Sequence, residues 1–282
     1  MKFRESVLPF ECLGEPLLGV LSAPQEAASD LGVLVIVGGP QYRAGSHRQF
    51  TLLARALAAA GHPVLRFDYR GMGDSGGDLR SFEAVSDDIR AAIDALCATG
   101  VREVVLWGLC DAASAALLYC DGTTDPRVRG LCLLNPWVRS EASLARTQVK
   151  HYYLQRLGQP EFWSKLLRGQ VAGKALRDLW SNLRAIAGQA AGPRSAGVLS
   201  FQQRMARALR RLDVQALLIL SGNDYTAREF LDHARVDPAW RGVLDLPMIR
   251  RVDVESADHT FSCADWRAEV EQCTEQWLRA LS

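Results

Sequence analysis

Short apolar runs return along this chain at intervals that each leave room for one helix, and few architectures tolerate that alternation. The runs are Leu17–Leu21, Gly32–Val37, Val64–Asp68, Val104–Trp107, Gly130–Leu134, Ala216–Leu220 and Ile249–Val254. The central ones are continuously apolar, as strands buried on both faces must be. Helical patterns separate them. Phe50–Ala60 stops at Gly61, a suitable C-cap, and Ser86–Thr99 opens on Ser86-Asp87-Asp88, which can cap the first turn and suits its dipole. Ala112–Cys120, Thr226–Ala234 and Trp266–Leu281 follow. This order predicts an α/β fold with a mostly parallel central sheet flanked by helices.

One interval breaks the rhythm. From about Val138 to Leu212 the pattern is helical and rich in Leu, Trp and Arg, with no strand. Gly158-Gln159-Pro160, Gly169, Gly173 and Ala191-Gly192-Pro193 divide it into three or four helices. The expected organisation is a core of residues 1–137 and 213–282 and a helical, basic lid subdomain of residues 138–212. An insertion there covers the C-terminal ends of the strands, where open α/β sheets bind ligands. Arg139 to Arg211 contains fourteen Lys or Arg and three Asp or Glu, a net charge of +11 that leaves −10 for the rest. Such a block suits an anionic substrate or peripheral contact with a membrane surface, and equally the solvated faces of helices. It carries no aromatic platform or motif for nucleic acid, and none is expected as a partner.

No apolar run approaches the ~20 residues that span a bilayer. The first residues, Met1-Lys2-Phe3-Arg4-Glu5, lack the apolar stretch of a secretory signal. Seven cysteines without tight spacing argue for a reducing compartment, so a cytoplasmic protein is expected. No metal-ligand cluster or cofactor motif stands out, and the expectation is no metal and no cofactor.

Chemistry concentrates at Gly108-Leu109-Cys110-Asp111-Ala112, between the strand Val104–Trp107 and an alanine-rich helix. Strand, Gly-x-nucleophile-x-small, helix is the pattern of a nucleophile elbow, in which small residues let strand and helix backbones pass closely. The nucleophile is then Cys110. Its thiol, near pKa 8.5 when free, is acidified beside an imidazolium and a helix N-terminus. Asp111 opposes this unless Arg43 or His47 pairs it, or unless it caps the helix.

The elbow needs a general base, and the base needs a group to orient it. His259, in Asp258-His259-Thr260-Phe261-Ser262 after the last strand, fits the base. His151 and His233 lie in helical patterns. Asp224, in the polar turn after Leu218-Ile219-Leu220, fits the acid, with an N-cap of the following helix as its structural role. Asp253, Asp258 and Glu229 are weaker choices.

A tetrahedral oxyanion requires two preorganised N–H donors. The Asp111 backbone is one; Gly39, in Gly38-Gly39-Pro40-Gln41-Tyr42-Arg43, is the other, with Gln41 as the alternative because Pro40 has no N–H. Gln41, Tyr42, Arg43 and Trp137 are pocket candidates. Asp68-Tyr69-Arg70-Gly71-Met72-Gly73-Asp74-Ser75 predicts a tight turn shaping the pocket wall. Cys12, Cys97, Cys120, Cys132, Cys263 and Cys273 mostly lie in apolar patterns, as inert core thiols do.

These residues resemble the α/β-hydrolase superfamily over nearly the whole chain. The likeness implies an α/β-hydrolase fold with a helical lid inserted after the sixth strand. Gly38-Gly39-Pro40 is similar to the His-Gly-Gly-Pro loop of proline iminopeptidase-like members, with Val37 in place of their histidine. Gly38–Arg43, the Cys110 elbow and Ser221–Phe230 resemble the exosortase A system-associated hydrolases, type 1, which implies a bacterial exopolysaccharide setting. The elbow ends in Ala112 where glycine is usual. Dienelactone hydrolase and polyhydroxyalkanoate synthase resemble the chain in joining an elbow cysteine to His and Asp.

The expected function is hydrolysis of an ester or thioester through an acyl-enzyme. The basic block suits an acyl group carried on coenzyme A, an acyl carrier protein or an acidic saccharide. An acyltransferase using the same triad, or a non-catalytic scaffold of a polysaccharide-assembly system, are the alternatives.

Overall fold

The computed structural model describes residues 2–26, 28–39, 41–139 and 199–281. The chain divides into two compact units, Met1–Val138 with Ser200–Ser282, and Arg139–Leu199. The expected lid helices, their breakers and His151 lie outside the described residues.

The first unit is built on an eight-stranded sheet. Its strands are β1 (Phe3–Cys12), β2 (Glu15–Pro24), β3 (Leu31–Ile36), β4 (Val64–Asp68), β5 (Glu103–Leu109), β6 (Val128–Leu134), β7 (Gln215–Ser221) and β8 (Ile249–Val254), in the spatial order 1-2-4-3-5-6-7-8. β1 and β2 pair antiparallel, β2 and β4 likewise, and every later pair is parallel. Six helices accompany the sheet in the described residues: α1 (Gln49–Ala59), α2 (Ser86–Cys97), α3 (Asp111–Gly122), α4 (Phe201–Arg211), α5 (Tyr225–Val236) and α6 (Ala264–Leu281).

Two apolar layers close on the sheet because successive strand residues face opposite ways. In β3, Leu34 and Ile36 join one cluster with α2, α3, α4 and α5, while Val33 and Val35 join the other with α1 and α6. The central parallel strands β3, β5, β6 and β7 are therefore buried on both faces, as their apolar runs require.

β1 is absent from the sequence reading. Its residues, Phe-Arg-Glu-Ser-Val-Leu-Pro-Phe-Glu-Cys, carry charges and a proline, and most are exposed at the sheet's edge. Those are the features that keep an edge strand from pairing further. Leu13 and Gly14, at φ 53° and 85°, turn the chain back into β2.

Two local expectations change. Ser86 is the first residue of α2, not its cap; Val85 holds the cap position without a side-chain bond. Asp88 turns inward to a bidentate pair with Arg70, donated from Nε at 2.9 Å and Nη2 at 2.8 Å. Helix α4, read as part of the inserted subdomain, packs with the core unit. Its Phe201, Met205 and Leu209 are buried against α3 while Arg204 and Arg207 pair the buried Asp121 carboxylate at 3.0 and 2.6 Å. The arginines between these residues disguised an apolar face at helical spacing, which only packing reveals.

Candidate active site

The elbow forms where β5 meets α3. Cys110 sits at φ 64°, ψ −125° as the N-cap of α3. A non-glycine residue held there costs about 1–3 kcal/mol and persists only where surroundings over-determine it. They do so here. Cys110 N–H donates to Leu134 O at 2.8 Å, and Cys110 O accepts from Ala113, Ser114 and Trp137 N–H at 3.1, 3.3 and 3.2 Å. A Cβ on Gly108 would lie 2.6–2.7 Å from the Ala112 and Ala113 backbone, so the strand can pass the helix only as glycine. Ala112 is itself buried, its methyl accommodated where glycine is usual.

The acid and histidine loops leave β7 and β8 side by side. Gly222 N–H donates to Val254 O and Asn223 N–H to Ala257 O, both at 3.0 Å, extending the pairing past the strand ends. His259 Nδ1 then lies 2.8 Å from Asp224 Oδ2. The Asp224 carboxylate also accepts from Thr226 and Ala227 N–H at 3.1 Å, capping α5. The one carboxylate thus caps a helix and meets an imidazole at once. Burial pushes its carboxyl up, but the bond and charge of His259 and the two cap N–H groups outweigh this and hold it below the ordinary aspartate range. The His259 side chain keeps 34% of its surface exposed against 6% for Asp224, so the ring remains approachable on the side away from its partner.

The rival acids go elsewhere. Asp258 folds its own loop, accepting from Thr260 and Ser262 N–H at 3.1 and 3.0 Å and from the Ser262 hydroxyl. Asp253 pairs Arg251 at 2.8 Å on the surface. His233 stacks edge-on against Trp240 at 6.5 Å inside α5's packing.

Asn135 was missed by sequence reasoning. It is fully buried at the end of β6 with φ 43°. Its Nδ2 donates to Ser221 Oγ at 2.8 Å and His259 O at 3.2 Å, and its Oδ1 accepts from Ser221 N–H at 2.8 Å. Ser221 Oγ in turn donates to Asp258 O at 2.9 Å. The neighbouring Leu134 O holds Cys110 N–H, so the loops bearing Cys110, Asp224 and His259 are tied together at residues 134 and 135. An asparagine between an apolar strand and a proline, Leu134-Asn135-Pro136, was the available signal.

Asp111 is not paired by Arg43. Arg43 donates instead to Asp68 and Asp74 on the turn after β4, and His47 is exposed. The Asp111 carboxylate accepts from Gly39 N–H at 2.8 Å. Burial pushes its carboxyl above the ordinary range, against the pull of the nearby backbone N–H groups and the His259 charge. Gly39 has φ +57°. Gln41 N–H closes a turn on Gly38 O at 3.4 Å, its side chain is partly buried, and Tyr42 stands half-exposed under the Arg43 guanidinium, 5.2 Å from the ring centre. Trp137 follows Asn135 and its carbonyl accepts from Ser114 Oγ at 2.7 Å. Pro40 lies outside the described residues.

The turn of residues 68–75 is a brace. Ser75 Oγ donates to Asp68 O at 2.6 Å and accepts from Leu18 N–H at 2.9 Å, while Arg43 N–H donates to Asp68 Oδ1 at 2.7 Å. It fixes the loop that carries Gly39 at Arg43, past the glycine. Among the other cysteines, burial pushes the Cys120 thiol up to about 12 and raises Cys132 further, so neither ionises readily.

The profile of the family described as "Alpha/beta hydrolase family" matches residues 33–272. The chain belongs to that family. Its members' characteristic parts, the elbow at the end of a parallel strand and the histidine loop near the last one, both fall inside the match. Over 100 residues, 34% of this chain, it is 36% identical to Protein ABHD12B of Homo sapiens, and the match spans 27% of that protein's length. The esterase Pf2001 of Pyrococcus furiosus aligns with a TM-score of 0.63 at 15% identity, over 99% of this chain and 93% of that one. The esterase domain of a Rhodothermus marinus protein aligns at 0.62 and 18%, over 99% and 100%. The haloalkane dehalogenase DatA of Agrobacterium tumefaciens aligns at 0.61 and 18%, over 99% and 97%. At such identities the structures share the fold. By family the chain carries an α/β-hydrolase domain. No helix among the described residues is long and apolar enough to cross a membrane.

Proposed function

We propose that this hydrolase cleaves an ester or thioester through a covalent acyl-cysteine, with Cys110, His259 and Asp224 as its triad. The observation that carries the reading is the 2.8 Å bond from His259 Nδ1 to Asp224, with His259 near enough for its charge to act on Asp111, the residue after the strained elbow cysteine. Donating its Nδ1–H to Asp224 as a hydrogen bond, His259 keeps the Nε2 lone pair for the thiol proton. Cys110 Sγ then attacks the carbonyl, and the π pair moves to oxygen as the S–C bond forms. Collapse breaks the bond to the leaving alcohol or thiol, which takes the proton back from His259. Water, deprotonated by the same ring, hydrolyses the acyl-cysteine and restores the thiol. Asp111 and Gly39 N–H are the oxyanion donors in this scheme.

The finer reading follows the resemblance at Gly38–Arg43, Cys110 and Ser221–Phe230: a cytoplasmic enzyme of a bacterial exopolysaccharide system. The basic insert, proposed as a lid, attracts an anionic acyl carrier by charge alone. Three arginines of the basic stretch belong to α4 of the core unit and are engaged there, Arg204 and Arg207 with Asp121 and Arg210 with the Ala239 and Arg241 carbonyls. The remaining charge is what would steer the carrier, so kcat/KM for an acyl-coenzyme A should fall as salt rises.

The test is labelling and turnover with a panel of acyl ester and thioester probes on native protein, Cys110→Ser and His259→Ala. The expected result is an acyl adduct on Cys110 and a turnover loss of about 10³-fold or more in either variant. Turnover that survives Cys110→Ala overturns the triad. Product that forms only when a hydroxyl acceptor is present makes the enzyme a transferase.

A further inference from the structure

One of the two N–H groups that the proposed chemistry needs for an oxyanion is already bonded to a carboxylate. Gly39 N–H donates to Asp111 Oδ2 at 2.8 Å, on the residue whose own backbone N–H is the other donor. The fit is tight on the far side as well. A Cβ on Gly38 would lie 2.0 Å from Asp111 Oδ1, so the Gly38-Gly39 loop closes around this carboxylate and a side chain at 38 would expel it. The titratable groups facing it are Cys110 on the elbow, Tyr69 at the exit of β4 and His259 on the loop after β8. Tyr69 is buried and stays a neutral phenol. Arg43, the cation nearest in the loop's sequence, is turned to Asp68 and Asp74.

We propose that the Asp111 side chain is an internal occupant of the oxyanion hole, which acyl substrates must displace before their carbonyl can be activated. The inference rests on the triad reading above. Two negative oxygens cannot share one donor, so the substrate oxyanion and the carboxylate compete for Gly39 N–H. Asp111 is thus a specificity-determining residue. It screens out substrates whose remaining contacts are too weak to move it, and its side chain takes no part in bond making.

A trifluoromethyl ketone tests this, followed by fluorine NMR on wild type, Asp111→Asn and Asp111→Ala. Its adduct forms one S–C bond to the Cys110 thiolate and moves the carbonyl pair onto oxygen, which must enter the hole. Alkylation by iodoacetamide is the reference, since it forms an S–C bond and expels iodide without any oxyanion. Its pH–rate profile reports each variant's thiolate fraction. Thermal melts of the isosteric Asn variant control for folding.

Ketone affinity should rise from wild type to Asn to Ala, by about tenfold or more overall. Alkylation, corrected for thiolate fraction, should change far less. Equal or weaker ketone binding by Asp111→Ala, or a gain no larger than that in alkylation, overturns the occupant while leaving the triad intact. No ketone adduct in any of the three proteins, or one that persists in Cys110→Ala, overturns the triad reading and this inference together.

Discussion

Two aspartates begin helices at the same edge of the sheet, and their surroundings give them opposite characters. Asp224, at the exit of β7, caps α5 with two backbone N–H groups and meets the His259 ring, and its carboxyl is held low. Asp111, at the exit of β5, also accepts a backbone N–H, yet burial holds its carboxyl high. Backbone N–H groups pull both carboxyls down and do not separate them. What separates them is a hydrogen-bonded ring able to carry charge, which offsets desolvation more fully than amide dipoles do.

The comparison breaks most visibly at the β7 exit. Asp224→Asn keeps a capping side chain but cannot stabilise the imidazolium, so kcat should fall by about 10³–10⁴-fold. Stopped-flow turnover with the best ester probe checks this, and a loss under tenfold would return Asp224 to a purely capping role.

Asn135→Ala should follow. It strands the buried Ser221 N–H, at a cost of about 1–3 kcal/mol, and loosens the histidine loop. Urea denaturation reads the stability loss. A pH profile of kcat with unchanged shape but reduced height would show that Asn135 acts through His259's position.

Stability against pH sharpens the contrast because the two signs differ. Asp224's lowered carboxyl contributes stability above the ordinary aspartate value of 3.8, and that contribution is lost as pH falls through its lower folded value. Asp111's raised carboxyl works the other way. The protein gains from it below 3.8 and loses that gain as pH rises through the raised folded value. Asp111→Asn should therefore raise the melting temperature at pH 7, with the difference closing toward pH 3; Asp224→Asn should lower it at pH 7. Calorimetric scans across that range would expose a wrong sign.

The smallest effect belongs to a rejected rival. Asp253→Asn removes an exposed pair with Arg251 and should shift stability by about 0–1 kcal/mol with turnover unchanged.

Much of the site was legible because its parts are punctuation in the chain. Gly108 and Ala112 around Cys110, the polar turn ending in Asp224, and His259 after the last apolar run all mark strand exits, and local sterics demand small or polar residues there. β1 was illegible because edge exposure erases the apolar alternation. Helix α4 was misassigned because its arginines mask its apolar residues, while their ion pairs with Asp121 depend on a partner on α3. Asn135 carries a local hint, but its bonds run to Ser221 and His259, far along the chain.

By itself, the order of residues determined the sheet, the elbow and the identities of the triad candidates, since backbone periodicity and turn chemistry act over a few neighbouring residues. Only the folded molecule decided where the carboxylates point. Asp111 could have met Arg43, capped its helix or faced water, and all three are compatible with its neighbours in the chain. The approach of the Gly38-Gly39 loop brought the Gly39 N–H within 2.8 Å, and a hydrogen bond that short is settled by packing between distant segments.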